Sequence, residues 1–290
     1  MTIRLLTAAG TWAPWMVGYP ADIGRAIGGE WEPVLAEVLG DEPRFRWRPI
    51  DYPAVGFLNP DPNTSYDESV AAGVAEGLRI LGEEFGPLPD VRYTVDQLDD
   101  LTLDDLKALD ADGVGYSQGA EVIIRIAVEL ARHGLRFRRI VNLGSPCRVP
   151  GPTRVGNNPP GSGIARLFPP KCLLPTITDI VRNTGEMYGC ALDDTYLPEF
   201  YALFVQAEVS IPFAAAALQW AMPYIAGGLG AVLSGNPFGV IKVVDLPKAV
   251  KTAGQLIDFA STQAHTSYHL PAPEFGGRTG IQVAIDTIAA

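Results

Sequence analysis

The string Gly115-Tyr-Ser-Gln-Gly119 stands where an apolar run gives way to an amphipathic pattern with helical spacing. The apolar run predicts a buried strand, and the pattern from about Gln118 to His133, which Gly134 ends, predicts a helix. A serine between two glycines at a turn from strand to helix is typical of a nucleophile elbow. The string therefore predicts an α/β fold in which Ser117 is a nucleophile.

The elbow explains why each residue type is needed. Side chains at Gly115 and Gly119 would collide with the neighbouring helix and strand, and the strained turn leaves Oγ of Ser117 open to a substrate. The amide of Gln118 begins the helix, where the positive end of the helix dipole favours an oxyanion. The motif thus predicts acyl transfer, with Gln118 supplying one oxyanion donor.

The flanking sequence predicts a parallel sheet around this turn. Residues 138–143 predict a strand after the helix, and a strand, helix and strand in about thirty residues indicate a parallel unit. Residues 2–8 predict a buried first strand, and residues 44–50 an edge strand. Ser65 and Glu68 form a capping box, which predicts that a helix begins there.

Composition and charge exclude several classes of protein. The chain has 290 residues, of which 22 are Lys or Arg and 33 are Asp or Glu, so its net charge is −11 and no nucleic-acid partner is expected. Three cysteines, an odd number without CxxC spacing, argue against a disulfide framework and against a zinc site, although one pair could form. The N-terminus lacks the layout of a signal peptide, which predicts synthesis in a cytoplasm.

Two further segments need an interpretation. Seven aspartates between residues 96 and 112 indicate a solvated amphipathic segment rather than a metal site, because their spacing is not that of a calcium loop.

Residues 209–241 contain no charged residue and exceed the roughly 20 residues that span a bilayer. Proline and glycine interrupt them repeatedly, which favours two short buried or lid helices over a transmembrane helix.

A nucleophilic serine needs a base, and the chain has three histidines. His133 ends the helix after the elbow. His265 and His269 follow the last amphipathic helix, where the chain order of serine, acid and histidine places the base, and we prefer His265. A zinc site on the pair is disfavoured because the glutamate of HExxH and a third ligand are missing. No metal or cofactor is expected.

The acid that orients the histidine must lie between Ser117 and His265 in the sequence. A carboxylate is needed because it fixes the imidazole tautomer and stabilises the imidazolium that forms during attack. Spacing does not choose among Asp179, Glu186, Asp193 and Asp194.

Four blocks in a fixed order make the sequence resemble a known family. They are Gly115–Gly119 with residues 46–54 (RWRPIDYPA), 185–188 (GEMY) and 265–275, in which Pro-Ala-Pro-Glu-Phe follows His265. Together they resemble lysin B, the cutinase-like serine esterases carried by phages of mycobacteria and related actinobacteria.

The resemblance implies a fold and a division of the chain. It implies a cutinase-like α/β-hydrolase with a central, mostly parallel sheet. Residues 1–194 and 263–290 would form the catalytic core, and residues 195–262 a helical linker or lid insertion.

The resemblance also implies roles for single residues. Ser117 would be the nucleophile, His265 the base and Glu186 the acid, with the backbone amide of Thr11 as the second oxyanion donor. The family usually has aspartate in place of Glu186, so the geometry must differ there, and Asp179 stays the alternative acid.

The implied function is hydrolysis of the ester that links mycolic acids to arabinogalactan. Such an enzyme would be made in the host cytoplasm and would act at the cell envelope during phage lysis, where it could make peripheral contact with the host outer membrane. Two other functions stay open. One is a cutinase-like lipase or esterase that acts on other lipid esters, and the other is a catalytically silent fold that binds lipid.

Overall fold

A parallel sheet of five strands forms the centre of the computed structural model, which describes residues 2–28, 43–56, 64–206 and 246–290. The strands of the protein are β1 (Ile3–Ala8), β2 (Phe45–Pro49), β3 (Lys107–Ala108), β4 (Ala111–Tyr116), β5 (Leu135–Arg136), β6 (Arg139–Leu143) and β7 (Ile177–Ile180). The order in the central sheet is β2-β1-β4-β6-β7, and every neighbouring pair is parallel. A separate parallel pair is formed by β3 and β5.

Helices cover both faces of this sheet. They are α1 (Tyr19–Gly28), α2 (Tyr66–Phe85), α3 (Val95–Leu98), α4 (Gln118–Arg132), α5 (Leu197–Gln206), α6 (Leu246–Thr262) and α7 (Gly280–Ala289). Short 3-10 turns lie at Leu103–Asp105, Lys171–Thr176, Ala264–Thr266 and Pro273–Phe275. Parallel strands covered by helices on both sides are the arrangement expected of an α/β fold.

Two hydrophobic cores lie on opposite faces of the sheet because side chains alternate along each strand. In β1, Leu6 packs with Val122 of α4 in one core, whereas Leu5 packs with Ile23 of α1 and Val283 of α7 in the other. Both leucines are fully buried. The near-continuous apolar run at the N-terminus is therefore explained by a central strand with no solvent-facing side.

Most elements expected from the sequence are confirmed. The first strand, the edge position of β2, the capping box of Ser65 and Glu68 at the start of α2, and the parallel pairing of β4 with β6 all agree with the expectations. The C-terminal helix α7 and the small sheet of β3 and β5 were not expected. Helix α7 contributes Val283, Ala284 and Ile288 to one core, and both residues of β3 are exposed.

The acidic segment at residues 96–112 needs one correction. Its aspartates are exposed or partly exposed except Asp112, which has no solvent-accessible surface. Asp112 is buried because it belongs to β4, where it pairs in register with Leu5 and Arg139. The expectation of a solvated segment is therefore wrong for Asp112.

The expected insertion at residues 195–262 is described only at its two ends. Helices α5 and α6 form these ends, and Thr252 of α6 accepts a hydrogen bond from the backbone N–H of Tyr196 at 2.8 Å. The expected lid helices at 209–241 lie outside the described residues. Among the helices that are described, none is long and apolar enough to cross a membrane.

All three cysteines are buried and unpaired. Cys147, Cys172 and Cys190 are free thiols, so the pairing that the sequence left open is not formed. Burial raises the pKa of each thiol.

Candidate active site

The candidate nucleophile lies on a strained turn between β4 and α4. Ser117 has a φ of 55°, which is in the left-handed region that non-glycine residues rarely adopt, and its N–H donates to the carbonyl of Leu143 at 3.0 Å. A side chain at Gly115 would overlap Ala120 of α4, and one at Gly119 would overlap the carbonyl oxygen of Ala8 in β1. The two glycines thus let helix and strand approach closely enough to form the elbow.

Ser117 belongs to a chain of three hydrogen-bonded side chains. Its Oγ lies 2.8 Å from Nε2 of His265. On the other side of the ring, Nδ1 lies 2.8 and 2.9 Å from the two carboxylate oxygens of Glu186. With the ring proton on Nδ1, His265 donates to Glu186 and accepts from Ser117. This arrangement can draw the proton from a serine that attacks a carbonyl.

Glu186 is fully buried and yet surrounded by donors. The Tyr268 hydroxyl donates to its Oε2 at 2.8 Å, and the N–H groups of Tyr188 and Gly189 donate to its Oε1 at 3.0 and 3.4 Å. Burial acts to raise the pKa of this carboxyl, but the charge of His265 and these hydrogen bonds outweigh it and lower the pKa. Glu186 is therefore an anion that can stabilise a protonated His265.

Two tyrosine rings enclose the imidazole. The ring of Tyr188 stacks on His265 at 4.5 Å between centroids, and the ring of Tyr116 stacks on it at 5.1 Å. The Tyr116 hydroxyl also donates to the backbone carbonyl of His265 at 2.8 Å. The sequence predicts no role for these tyrosines or for Tyr268. The first two could have been found, because each directly precedes or closely follows a residue of the site in the chain.

The loop that carries Glu186 is fixed by a buried arginine. Arg148 is 1% exposed and its Nε donates to the carbonyl of Gly189 at 2.5 Å. Its other nitrogens donate to five more backbone carbonyls between residues 149 and 161. One guanidinium therefore ties this long loop to the segment that orients the acid.

Two backbone amides near Ser117 are available to a ligand. Within the described parts of the chain, neither the N–H of Gln118 nor that of Thr11 donates to a protein acceptor. The Gln118 side chain is held by the carbonyl of Val55 at 2.7 Å. A Cβ at Gly10 would lie 3.4 Å from that of Ser117, so the turn that carries Thr11 is beside the serine.

The other candidate acids do not contact His265. Asp179 lies on β7, where its Oδ1 accepts from the Asn142 amide at 3.3 Å, and burial raises its pKa to about 6. Asp193 pairs with Arg166 at 2.7 Å, and Asp194 pairs with Lys251. Of the four carboxylates that spacing left open, the structure brings only Glu186 to the histidine.

The other two histidines lie apart from the serine. His133 follows the C-terminal end of α4, and its Nδ1 is 2.7 Å from the carbonyl oxygen of Pro89. Nδ1 of His269 is 3.0 Å from the Tyr19 hydroxyl. No group of three side chains able to hold a metal occurs among the residues that the structure describes.

Comparisons with known proteins agree with this architecture. The chain is similar to the crystal structure of lysin B from Mycobacteriophage D29, with a TM-score of 0.50 and 19% identity over 100% of both chains. It also matches the catalytic core domain of acetyl xylan esterase from Trichoderma reesei, with a TM-score of 0.43 and 16% identity over 72% of this chain and 98% of that one. No family model matches, and no curated protein sequence matches. The chain therefore shares the α/β fold of lysin B over the full length of both chains.

Proposed function

We propose that this chain, which shares its fold with lysin B from end to end, is a serine esterase that cleaves carboxylic esters. One observation carries the proposal. A serine on a strained elbow is hydrogen-bonded to a histidine whose other nitrogen is held by a buried, ionised glutamate. A purely structural serine has no need of this combination, because the strained backbone of the elbow costs stability and such strain persists mainly at functional sites.

The first half of the reaction forms an acyl-enzyme. His265 accepts the proton of Ser117 while Oγ attacks the ester carbonyl carbon, and the carbonyl oxygen becomes an oxyanion held by the amides of Gln118 and Thr11. Collapse of this intermediate breaks the bond to the leaving alcohol. His265 gives the proton to the alcohol, which departs first.

The second half releases the acid. His265 removes a proton from water, and the resulting hydroxide attacks the acyl carbon. The bond to Oγ then breaks, and the proton on His265 returns to Ser117. Glu186 stabilises the imidazolium in both halves without taking up the proton itself.

The proposed substrate is the ester that links mycolic acids to arabinogalactan. The four sequence blocks resemble those of lysin B, and the fold similarity covers both chains completely. The enzyme would then act at the envelope of an actinobacterial host during phage lysis, after synthesis in the host cytoplasm.

The catalytic assignment is tested with p-nitrophenyl butyrate and a fluorophosphonate. We expect hydrolysis that EDTA leaves unchanged, and a single adduct that peptide mass spectrometry finds on Ser117. Ser117→Ala should lower kcat by on the order of 10⁶, because the nucleophile of a triad is lost. Ser267→Ala is the matched control, since the hydroxyl of this buried serine donates to the carbonyl of Ala264 and not to His265. A loss of only a few fold in Ser117→Ala would exclude the triad.

The substrate is tested with isolated mycolyl-arabinogalactan. Release of free mycolic acid by the wild-type enzyme, but not by Ser117→Ala, is the expected result. Hydrolysis of soluble esters without release of mycolic acid would instead assign a lipase or esterase of other lipid esters. Lipid binding without any turnover would assign a silent hydrolase fold.

A further inference from the structure

An apolar loop lies beside the candidate active site. We call residues 11–18, between β1 and α1, the mouth loop. It exposes 62% of Trp12, 56% of Val17 and 40% of Met16 to solvent. No charged residue occurs in the loop, although the whole chain carries a net charge of −11. The exposed side chains thus form an uncharged apolar surface on an acidic protein.

The backbone of the mouth loop is fixed. The N–H of Trp12 donates to Ala54 at 2.6 Å, that of Ala13 to Gly10 at 3.1 Å, and that of Val17 to Pro14 at 2.8 Å. Trp12 has a φ of 60°, a conformation that bulky side chains rarely adopt. Strain of this kind persists at functional sites because the surrounding contacts enforce it. The fixed backbone therefore keeps the apolar side chains of the mouth loop exposed to solvent.

Both ends of the mouth loop reach the site. Thr11 begins the loop and carries one of the two free amides near Ser117. Tyr19 follows its last residue, and the Tyr19 hydroxyl donates to the carbonyl of Thr266, which is next to His265 in the chain. An apolar surface at this place lies against whatever presents the ester to Ser117.

We propose that the mouth loop docks the protein on a lipid surface and so presents an ester in that surface to Ser117. The inference rests on the proposed function and adds its partner, a neutral or zwitterionic lipid aggregate. An uncharged loop on an acidic protein suits such a surface better than an anionic one, which would repel the rest of the chain.

The size of the loop favours lipid over a protein partner. Three side chains bury far less than the roughly 1,200 Å² that a stable protein interface needs. A lipid surface needs no matching partner, because apolar side chains gain by entering it one at a time. The fixed backbone also means that little conformational entropy is lost on docking.

Vesicle sedimentation tests this surface with a matched pair of variants. Met16→Ser/Val17→Ser removes two exposed apolar side chains from the mouth loop. The control, Val91→Ser/Val95→Ser, removes two apolar side chains that are 55% and 58% exposed. They lie near the C-terminal end of α4, where the carbonyl of Arg132 accepts a hydrogen bond from the N–H of Tyr93. Each full-length protein is spun with phosphatidylcholine vesicles, and each is assayed on monomeric p-nitrophenyl butyrate and on p-nitrophenyl palmitate dispersed in the vesicles.

The expected result separates docking from chemistry. Met16→Ser/Val17→Ser should partition into vesicles at least about tenfold less than wild type. It should lose a similar factor on the dispersed ester and change less than twofold on the soluble one. The Val91 and Val95 variant should match wild type in all three assays. Ser117→Ala should bind vesicles normally, because docking does not need the nucleophile.

Three outcomes would overturn the inference. Equal vesicle binding by both double variants and wild type would show that the mouth loop does not dock. An equal loss in both variants would assign binding to general surface hydrophobicity. Light scattering that shows a wild-type dimer, lost in Met16→Ser/Val17→Ser, without vesicle binding would assign the loop to a second copy of the chain. Absence of soluble-ester hydrolysis would refute the proposed function alone, since vesicle binding is read separately.

Discussion

A carboxylate and an imidazole make the decisive contact at the scale of single residues. Glu186 meets Nδ1 of His265 with both oxygens, at 2.8 and 2.9 Å, although glutamate is one methylene longer than the aspartate usual in the resembling family. Its position is secured by the hydroxyl of Tyr268 and by backbone amides. The longer side chain is therefore accommodated by its surroundings rather than by a different partner.

Replacing this carboxylate should cost activity with little change in shape. Glu186→Gln keeps the size of the side chain but removes the charge that stabilises the imidazolium and fixes its tautomer. We expect kcat for p-nitrophenyl butyrate to fall by on the order of 10⁴. Asp179→Asn is the control, since Asp179 bonds to Asn142 and not to His265. If the control lost activity and Glu186→Gln kept it, the acid would have to be reassigned to Asp179.

Sequence reasoning reached the serine and the preferred base, but not the acid. Ser117 has a local signature because elbow, glycines and flanking strand and helix are contiguous. Glu186 competes with Asp179, Asp193 and Asp194 for a contact with a residue 79 positions away. Such a contact depends on how loops pack, and only the family resemblance singled out Glu186 in advance. The rings of Tyr116 and Tyr188 on His265 result from the same loop packing.

The elbow joins β1, β4 and α4 at the scale of elements. Gly119 lies in the first turn of α4, and it approaches the carbonyl oxygens of Ala8, the last residue of β1, and of Ala9 so closely that a methyl group has no room. The contact with β1 therefore fixes the position of α4, whose first residue, Gln118, carries the proposed oxyanion donor. Any side chain at this position must push the helix and its first amides away from the serine.

Gly119→Ala should therefore lower both stability and activity. We expect the free energy of unfolding, measured in urea, to fall by about 3 kcal/mol or more because the methyl group overlaps backbone atoms that cannot move aside independently. Gly82→Ala in α2 is the matched change, since nothing lies within 4 Å of its added Cβ. This control should gain up to about 1 kcal/mol from helix propensity. Similar results for the two variants would contradict the close approach.

Predictions of elements succeeded where the signal is local. A capping box, an apolar run and a stop at glycine located α2, β1 and α4 within a few residues of their observed bounds. Helix α7 was missed because its buried face matters only once it packs beside α1 and β6. Asp112 was misread because a charged residue at the start of a central strand has no local pattern that distinguishes it from its exposed neighbours.

At the scale of the whole molecule, two buried aspartates make the stability depend on pH. Burial raises the pKa of Asp112 from 3.8 to about 6, although Nε of Arg138 lies 3.8 Å from its Oδ1. Between these two values the folded state binds more protons than the unfolded state, so stability falls as the pH rises through this window. Asp179, whose pKa is also raised to about 6, acts in the same direction.

Asp112→Asn should abolish part of this decline. At pH 4 the carboxyl is largely protonated in the folded state, and we expect the variant and wild type to unfold at similar urea concentrations. At pH 8 the variant should be more stable by about 2 kcal/mol, because it no longer buries a charge. Asp105→Asn is the contrasting control: hydrogen bonds from Thr102 lower the pKa of Asp105, so its loss should destabilise at pH 8. A parallel pH profile for Asp112→Asn and wild type would refute the buried charge.

The three buried thiols can report how often the folded protein opens locally. A reagent such as Ellman's reagent needs an accessible thiolate, and both burial and a raised pKa withhold it in the native state. Each labelling event therefore reports one local opening that exposed the thiol to solvent. Cys147 follows β6, Cys172 precedes β7 and Cys190 follows Glu186. Labelling resolved by peptide would therefore measure the rates of local opening of three separate segments around the sheet without any engineered probe.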